Sequence, residues 1–187
     1  LFRFGATYSA QELSYTKMLG QLQDAGNTVT VAHYLDLLDK AGMLCGIQKY
    51  DAKEVRRRKS SPRFMVYDTS LMTASSGIEK SRYLGEPDLR GHLVESAVGA
   101  RLLARASEEG LGVYWWREGT KEVDFVVSKG FDSLSAIEVK SGKEKGQSGM
   151  ADFLSAHPSA KRIVVGGAAS GACGVEEFLK DEVELFY

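Results

Sequence analysis

Two stretches near the start of the chain carry apolar residues at helical spacing. The first follows Ser14 and the second follows Asn27 or Thr28, which are residue types that cap helices. Gly42 suits the position just after the second helix. The apolar positions are Tyr15, Met18, Leu19 and Leu22 in the first stretch and Val31, Tyr34, Leu35 and Leu38 in the second. Two short helices joined by a polar turn predict a helix-turn-helix.

Strand-like runs at residues 43–50 and 61–68 follow the helices and bracket a basic segment. Residues 1–77 are therefore predicted to form a winged helix-turn-helix module with a basic wing. Docking of a protein or of a neighbouring domain is the alternative to DNA binding. In a DNA-binding module, the outer face of the second helix would carry Thr28, Thr30, His33 and Asp36. The wing residues that reach phosphates would be Lys53, Arg56, Arg57, Arg58 and Lys59.

Residues 78–90 contain Gly85 and Pro87, are polar, and predict an irregular linker. A helix with a broad apolar stripe follows at residues 89–107, and Glu95 lies at the edge of that stripe. From this edge its carboxylate can face a cleft. The alternative is a partly exposed glutamate that pairs with His92 or Arg101.

Acidic residues lie inside two later strand-like runs, residues 122–127 and 135–140. If the runs pair, Asp124, Glu138 and Lys140 can converge on one side of the sheet. Two carboxylates beside an ammonium group suit Mg²⁺ or Mn²⁺ and phosphate chemistry. The alternative is a set of solvated ion pairs. Strand alternation groups Val123, Phe125 and Val127 on one face, Glu122 and Asp124 on the other, Ile137 and Val139 on one face of the second run, and Ala136, Glu138 and Lys140 on its opposite face.

The segments around this hairpin supply further candidates. Trp115 and Trp116 point to opposite faces of a strand, so one belongs to the core and the other can line a cleft. Arg117 can bind a phosphate or pair with a nearby glutamate. In the basic loop after the hairpin, Lys143 and Lys145 can contact a nucleic-acid backbone or simply be solvated. The remaining predictions are a helix at 150–156, a strand at 161–165, a helix at 175–180 and a strand at 183–187.

Composition narrows the setting of the protein. The chain has 187 residues, 43% hydrophobic and 26% charged, with a net charge of −1, so any attraction to nucleic acid must come from local patches. The two cysteines have no metal-ligand spacing, and no segment is long enough to span a bilayer, which predicts a cytoplasmic location without a membrane partner. The glycine-rich segment near residue 170 lacks a P-loop pattern, so no ATP site is expected in this chain. The first residue is Leu, which indicates a piece of a longer protein.

An Asp on one strand followed by Glu-x-Lys on the next resembles the signature of the PD-(D/E)XK nuclease superfamily. More narrowly, the segments GHLVE, YWWREGTKEVDFVV and AIEVKSGKEKG resemble the C-terminal region of a family of bacterial and archaeal AAA+ ATPases. In that family a winged helix and a nuclease-like domain of uncertain function follow the ATPase module. The resemblance implies a fold of the α/β class, with an N-terminal winged helix-turn-helix followed by a restriction-endonuclease-like core with a mixed sheet at residues 91–187.

The resemblance also implies roles for individual residues. Asp124, Glu138 and Lys140 match the signature, and Glu95 matches a further helical glutamate of the superfamily. Mg²⁺ or Mn²⁺ would be held by Asp124, Glu138 and the Val139 carbonyl, with Glu95 bound directly or through water. Three functions follow as alternatives: a metal-dependent nuclease, a DNA-binding or docking module with a vestigial nuclease site, and a regulatory domain of an upstream ATPase.

Overall fold

The computed structural model describes residues 1–22, 26–51, 61–130, 132–141, 147–168 and 170–187. They form a mixed α/β structure. The helices are α1 (Phe2–Thr7), α2 (Tyr15–Gln21), α3 (Thr28–Lys40), α4 (Thr69–Ser76), α5 (Lys80–Gly85), α6 (Pro87–Glu109), α7 (Met150–Ala156) and α8 (Val175–Leu179). The strands are β1 (Gln11–Glu12), β2 (Leu44–Lys49), β3 (Arg63–Val66), β4 (Gly112–Glu118), β5 (Lys121–Lys129), β6 (Ser133–Lys140), β7 (Gln147–Ser148) and β8 (Lys161–Gly166). Within these ranges, no helix combines the length and apolarity that crossing a membrane requires.

The strands join in a mixed sheet that runs through both predicted modules. Its order is β1-β3-β2-β4-β5-β6-β8, and the two-residue β7 pairs with β5. β1, β3 and β2 are antiparallel neighbours, and β4, β5 and β6 form an antiparallel meander. β2 lies parallel to β4, with Gln48 opposite Tyr114 and Lys49 opposite Trp115, and β8 lies parallel to β6. The β2–β4 pairing thus joins the N-terminal strands to the later ones.

The predicted starts of α2 and α3 are confirmed by their capping hydrogen bonds. The Ser14 side chain accepts the N–H of Lys17, and the Asn27 side chain accepts two N–H groups at the start of α3. These acceptors satisfy backbone donors that have no partner inside the helix. Gly42, just after α3, has a φ of 66°, a conformation that glycine adopts without steric cost.

Three groups of buried apolar side chains hold the sheet between its helices. The first joins α6 to the central strands through Leu102, Trp115, Phe125 and Ile137. The second packs the N-terminal helices on β2 and β3, and the third packs Phe153 of α7 on the opposite face of β5 and β6. Each fully buried side chain of this size stabilises the fold by about 1.5–3 kcal/mol. The sheet therefore carries α6 on one face and α7 on the other.

Two predicted segments differ in the structure. Most of residues 78–90 is helical rather than irregular, in α5 and the start of α6, because Tyr83 of α5 is buried and packs with the N-terminal core, as does Leu89 of α6. The predicted strand at 183–187 is absent: Leu185 packs against the first core, and its carbonyl accepts a hydrogen bond from the Ser135 side chain instead of joining a strand ladder. The domain boundaries 1–77, 78–90 and 91–187 stay predictions.

A β-bulge in β5 breaks the predicted alternation. Tyr114 pairs with Val126 and Trp116 pairs with Val123, so two residues of β5 lie opposite the single residue Trp115. Val123 therefore packs with the α7 core together with Val126, whereas Phe125 packs with the α6 core. The prediction that Val123 shares a face with Phe125 and Val127 is wrong for this reason. Asp124 lies in the bulge, a feature that re-aims side chains in many sheets.

Candidate functional site

β5 and β6 separate at their acidic ends. They pair from Phe125 and Ile137 to the turn that connects them. On the N-terminal side of Phe125, β7 lies beside β5 in place of β6, with Ser148 opposite Glu122. The separation leaves a gap next to β5 at the position of the bulge.

A small cleft of about 30 Å³ opens at this gap, and α6 closes one side of it. A cavity of about 10–15 Å³ accepts one water molecule, so this cleft has room for a small cation or one or two waters. All the residues predicted for catalysis and metal binding line it, namely Glu95, Asp124, Glu138, Val139 and Lys140. The fold therefore brings together residues from α6, β5 and β6.

The Asp124 side chain takes the place of a backbone hydrogen-bond partner at the point where β5 and β6 separate. Its Oδ2 accepts the backbone N–H of Val139 at 2.8 Å. Burial raises the pKa of Asp124 above its ordinary value, and the charges of Glu122 and Glu138 add to this effect, against the Val139 hydrogen bond and the charge of Arg63. The ionised carboxylate is thus a group that an added positive charge would stabilise.

Glu138 and Lys140 form the outer half of the cleft. Glu138 Oε1 lies 2.8 Å from Lys140 Nζ, and Oε2 accepts the Ser148 hydroxyl at 2.9 Å. Alternation along β6 puts both residues on the side of Ala136, which packs with the α7 core. They meet Asp124 because the strands separate there, and not through a shared face of the sheet.

The inner half of the cleft consists of Glu95, Glu122 and Asp124, which line it, and of Arg63, which contacts all three. Its Nη1 is 3.2 Å from Glu95 Oε1 and 3.9 Å from Asp124 Oδ1, and its Nη2 is 3.3 Å from Glu122 Oε1. Nη1 also donates to the Asp124 carbonyl at 3.3 Å, and the guanidinium carbon lies 5.0 Å from the centre of the Trp115 ring. With 2% of its surface exposed, Arg63 is a buried cation shared by three carboxylates.

No function is predicted for Arg63 from the sequence. One signal was present, since Arg63 begins a four-residue strand whose other members are apolar, and an arginine in such a strand is seldom buried unless it is paired. Glu95 is buried rather than partly exposed, and Arg101, its predicted alternative partner, pairs with Asp181 instead.

Arg117 extends the charged network away from the cleft. Its Nη2 lies 2.6 Å from Glu122 Oε2, and its Nη1 lies 2.7 Å from Glu12 Oε2. Burial by itself would raise the pKa of Glu122, but the charge of Arg63 and the hydrogen bond from Arg117 outweigh burial and hold that pKa below its ordinary value. The prediction that Arg117 pairs with a glutamate is confirmed for Glu122.

Two open grooves adjoin the network. One, of about 330 Å³, shares Glu95 and Glu122 with the cleft and is also lined by Arg63 and Arg117. The other, of about 320 Å³, is lined by Arg117, Trp116 and His157 among others. Trp115 is buried, so Trp116 is the tryptophan that reaches a groove.

The cleft has donor atoms of the right type for a hard cation, but its carboxylates pair with cationic side chains. Carboxylate oxygens of Asp124 and Glu138 and the Val139 carbonyl match the oxygen ligands that Mg²⁺ and Mn²⁺ prefer. Among the described residues, no three or more His, Cys, Asp or Glu side chains are arranged to hold a metal ion. Binding of a cation would therefore require Lys140 or Arg63 to shift.

The residues predicted to contact nucleic acid lie outside the described part of the chain. They are Lys53, Arg56, Arg57, Arg58 and Lys59 of the wing and Lys143 and Lys145 of the loop. On α3, His33 and Asp36 are exposed, and Asp36 pairs with Lys40 at 2.7 Å. Val29, Tyr34 and Leu37 are also exposed on this helix, so its surface is more apolar than a surface that contacts only phosphates.

Comparison with protein families gives two matches of unknown function. Residues 90–172 match the Domain of unknown function DUF4143, a domain found in ATPase-associated proteins. Residues 1–82 match the Domain of unknown function DUF8612. Neither the curated proteins nor the solved structures gave a match. Arg63 belongs to the region that matches DUF8612, and Glu95, Glu122, Asp124 and Glu138 belong to the region that matches DUF4143.

Proposed function

We propose that the cleft binds a divalent cation and that the protein hydrolyses phosphodiester bonds of a nucleic acid. The observation that carries the proposal is the meeting of Glu95, Asp124, Glu138 and Lys140 in one cleft from three separate elements. Asp124, Glu138 and the Val139 carbonyl would hold the cation, with Glu95 bound directly or through water. When bound, Mg²⁺ or Mn²⁺ lowers the pKa of a water and offsets charge on the reacting phosphate.

Lys140 would supply the positive charge that the protein itself brings to the phosphate. Its ammonium now lies on Glu138, and its side chain is 34% exposed, so it can turn toward a ligand at the mouth of the cleft. There it would orient the attacking water and stabilise negative charge that develops on the phosphate oxygens. The Val139 N–H holds Asp124 through Oδ2, and the other carboxylate oxygen, Oδ1, lies 3.9 Å from Arg63 Nη1.

The adjoining grooves support a polymeric substrate. The cleft alone is too small for a nucleotide, so a polymer would have to lie in the open groove that shares Glu95 and Glu122 with it. The acidic network would repel phosphates without a bound cation. Cation binding is therefore expected to precede substrate binding.

The N-terminal region would serve as a DNA-binding or docking module attached to an ATPase. Support comes from the order α1, β1, α2, α3, β2, β3, in which two capped helices precede an antiparallel pair of strands, as in a winged helix. The match to DUF4143 supports an ATPase in the same protein or complex. The partners proposed are accordingly DNA and an upstream ATPase domain.

A second function is favoured by Arg63. A guanidinium group that already neutralises Glu95, Glu122 and Asp124 can take the place of a metal ion in the structure of the cleft. In this case the protein is a non-catalytic DNA-binding, docking or regulatory module. The two functions differ in whether the native chain binds Mn²⁺.

A cleavage assay tests the proposal. Labelled single- and double-stranded DNA and RNA are incubated with Mg²⁺ or Mn²⁺ and the native chain, with Asp124→Ala, or with Asp132→Ala, an exposed acid in the turn of the same hairpin as the matched control. Metal-dependent cutting that persists in Asp132→Ala and is lost in Asp124→Ala is the expected result. No cutting, together with no calorimetric binding of Mn²⁺ to the native chain, would favour the non-catalytic module.

A further inference from the structure

We propose that Arg63 is the built-in cation of the cleft and that a divalent cation binds in competition with it. This inference rests on the proposed function, because it concerns how that same site takes up its metal. It assigns to β3, a strand of the N-terminal region, control over the metal affinity of the later region. Arg63 is in this sense a positioning residue, which acts through the carboxylates that it holds.

The contacts of Arg63 show why the two cations would compete. Its Nη1 reaches Glu95 at 3.2 Å and lies 3.9 Å from Asp124 Oδ1, the oxygen that the Val139 N–H leaves available. A divalent cation bound to that oxygen would lie within a few ångströms of the guanidinium, and like charges at that distance repel strongly in a buried site. One of them must therefore move or bind more weakly.

The packing of Arg63 shows that it does not move freely. The side chain is 3% exposed and lies over Trp115, and β1 and β2 pair with its strand on both sides. Its Nε has no hydrogen-bond partner among the described residues, so the guanidinium is held by its two terminal nitrogens. A displacement of Arg63 therefore requires a displacement of β3 or a change of the side-chain rotamer.

The order of strands in the sheet connects Arg63 both to the acidic strand and to the N-terminal helices. β3 connects to the acidic strand β5 through β2 and β4, and β3 also packs against the N-terminal helices. A shift of the N-terminal region relative to β5 would withdraw Arg63 from Asp124 and Glu95 and leave their negative charge for a metal ion.

The test compares Mn²⁺ affinity in variants of the full 187-residue chain. Arg63→Met keeps an apolar stem and removes the charge, and Arg63→Lys keeps the charge with fewer donors. Arg82→Met is the matched control, because Arg82 pairs with Glu86 on the surface. Calorimetry with Mn²⁺ measures the affinity, and thermal unfolding with and without Mn²⁺ gives a second readout that needs no substrate.

Arg63→Met is expected to bind Mn²⁺ more tightly than the native chain by roughly 5- to 150-fold, the usual range for coupling between two ligands of one protein. Its melting temperature should also rise more on addition of Mn²⁺ than that of the native chain. If Arg63→Met folds only with Mn²⁺, Arg63→Lys is expected to show the same change with a smaller factor. Arg82→Met should match the native chain.

Mn²⁺ binding by Arg63→Met and Arg63→Lys that is equal to or weaker than that of the native chain would overturn the inference. This result is separable from failure of the proposed function. If the native chain cuts nucleic acid and the variants gain no Mn²⁺ affinity, the competition is contradicted and the nuclease function is supported. If the variants gain affinity and the native chain cuts nothing, the competition is supported and the nuclease function is contradicted.

Discussion

The two halves of the cleft hold their charges in different ways. Arg63 is 3% exposed at its side chain and meets three carboxylates, whereas Lys140 is 34% exposed and meets one, Glu138. A buried charge depends on its partners, because water cannot replace them. A partly exposed charge can leave its partner at little cost. Arg63 is therefore suited to holding the fold, and Lys140 is suited to contacting a ligand.

The same difference appears in the two acids of β5. Glu122 lies between Arg63 and Arg117, and its pKa is lowered in spite of burial. Asp124, two residues later, is buried more deeply with one distant guanidinium, and its pKa is raised. Neighbouring carboxylates on one strand thus have opposite electrostatic balances, and Asp124 is the one that would gain from a metal ion.

The largest effect is expected from the loss of Arg63. In a chelating buffer, Arg63→Met should lower the free energy of unfolding by about 3–5 kcal/mol, because it leaves buried carboxylates without their shared cation. Urea unfolding measures the change. In the same experiment Arg82→Met should change stability far less, because water screens the exposed pair that Arg82 forms with Glu86. A loss no greater in Arg63→Met than in Arg82→Met would show that the inner half is not a structural ion cluster.

Asp124→Asn should have the largest effect on activity. The amide can still accept the Val139 N–H through its oxygen, so the local fold is kept while the negative charge is lost. Removal of groups that merely support metal ligands lowers activity or metal affinity about 10- to 100-fold, so loss of a ligand itself is expected to cost at least that much. Cleavage rates and Mn²⁺ calorimetry measure it. Full cleavage by Asp124→Asn would remove Asp124 from the metal site.

Opposite pH dependences should distinguish the acids of β5. The folded pKa of Glu122 lies below its ordinary 4.5, so its ionised form stabilises the fold above that pH, and the contribution is lost as pH falls through the folded pKa. The folded pKa of Asp124 lies above its ordinary 3.8, so ionisation of Asp124 costs stability, and the cost grows as pH rises from that value through the folded pKa.

Unfolding of three chains across the acid range measures both effects. Relative to the native chain, Glu122→Gln should lose stability toward neutral pH, and Asp124→Asn should gain it. The two acids share Arg63, and a bound divalent cation would change their charge balance. The chelating buffer of the first experiment is therefore used here as well. The same direction of change in both variants would contradict the contrast between the two carboxylates.

The sequence was informative where the signal is local. Asp124, Glu138 and Lys140 lie on adjacent strands of one hairpin, and the caps at Ser14 and Asn27 act within three residues, so their spacing is visible in the sequence. The bulge at Asp124 was not predictable from alternation, because it depends on the position of Trp115 in the neighbouring strand.

The inner half of the cleft needed the tertiary structure. Arg63 is 32 residues from Glu95 and 61 residues from Asp124 along the chain, and no short-range pattern relates them. The helix at Lys80–Gly85 was missed for a related reason, since its stability comes from the burial of Tyr83 on a distant core. Sequence spacing thus located the chemical groups, and the structure showed which cation holds them.

Lys140→Met should have the smallest effect on folding and so complete the contrast with Arg63. A change of about 1 kcal/mol or less is expected in urea unfolding, because the Lys140 ammonium is partly in solvent and Glu138 keeps its bond from the Ser148 hydroxyl. Mn²⁺ affinity should be kept or increased, since a positive charge leaves Glu138, while cleavage should fall because the phosphate loses its nearby ammonium. Cleavage at the native rate would contradict the role of Lys140, and a loss of stability as large as that of Arg63→Met would show that the outer half is as structural as the inner one.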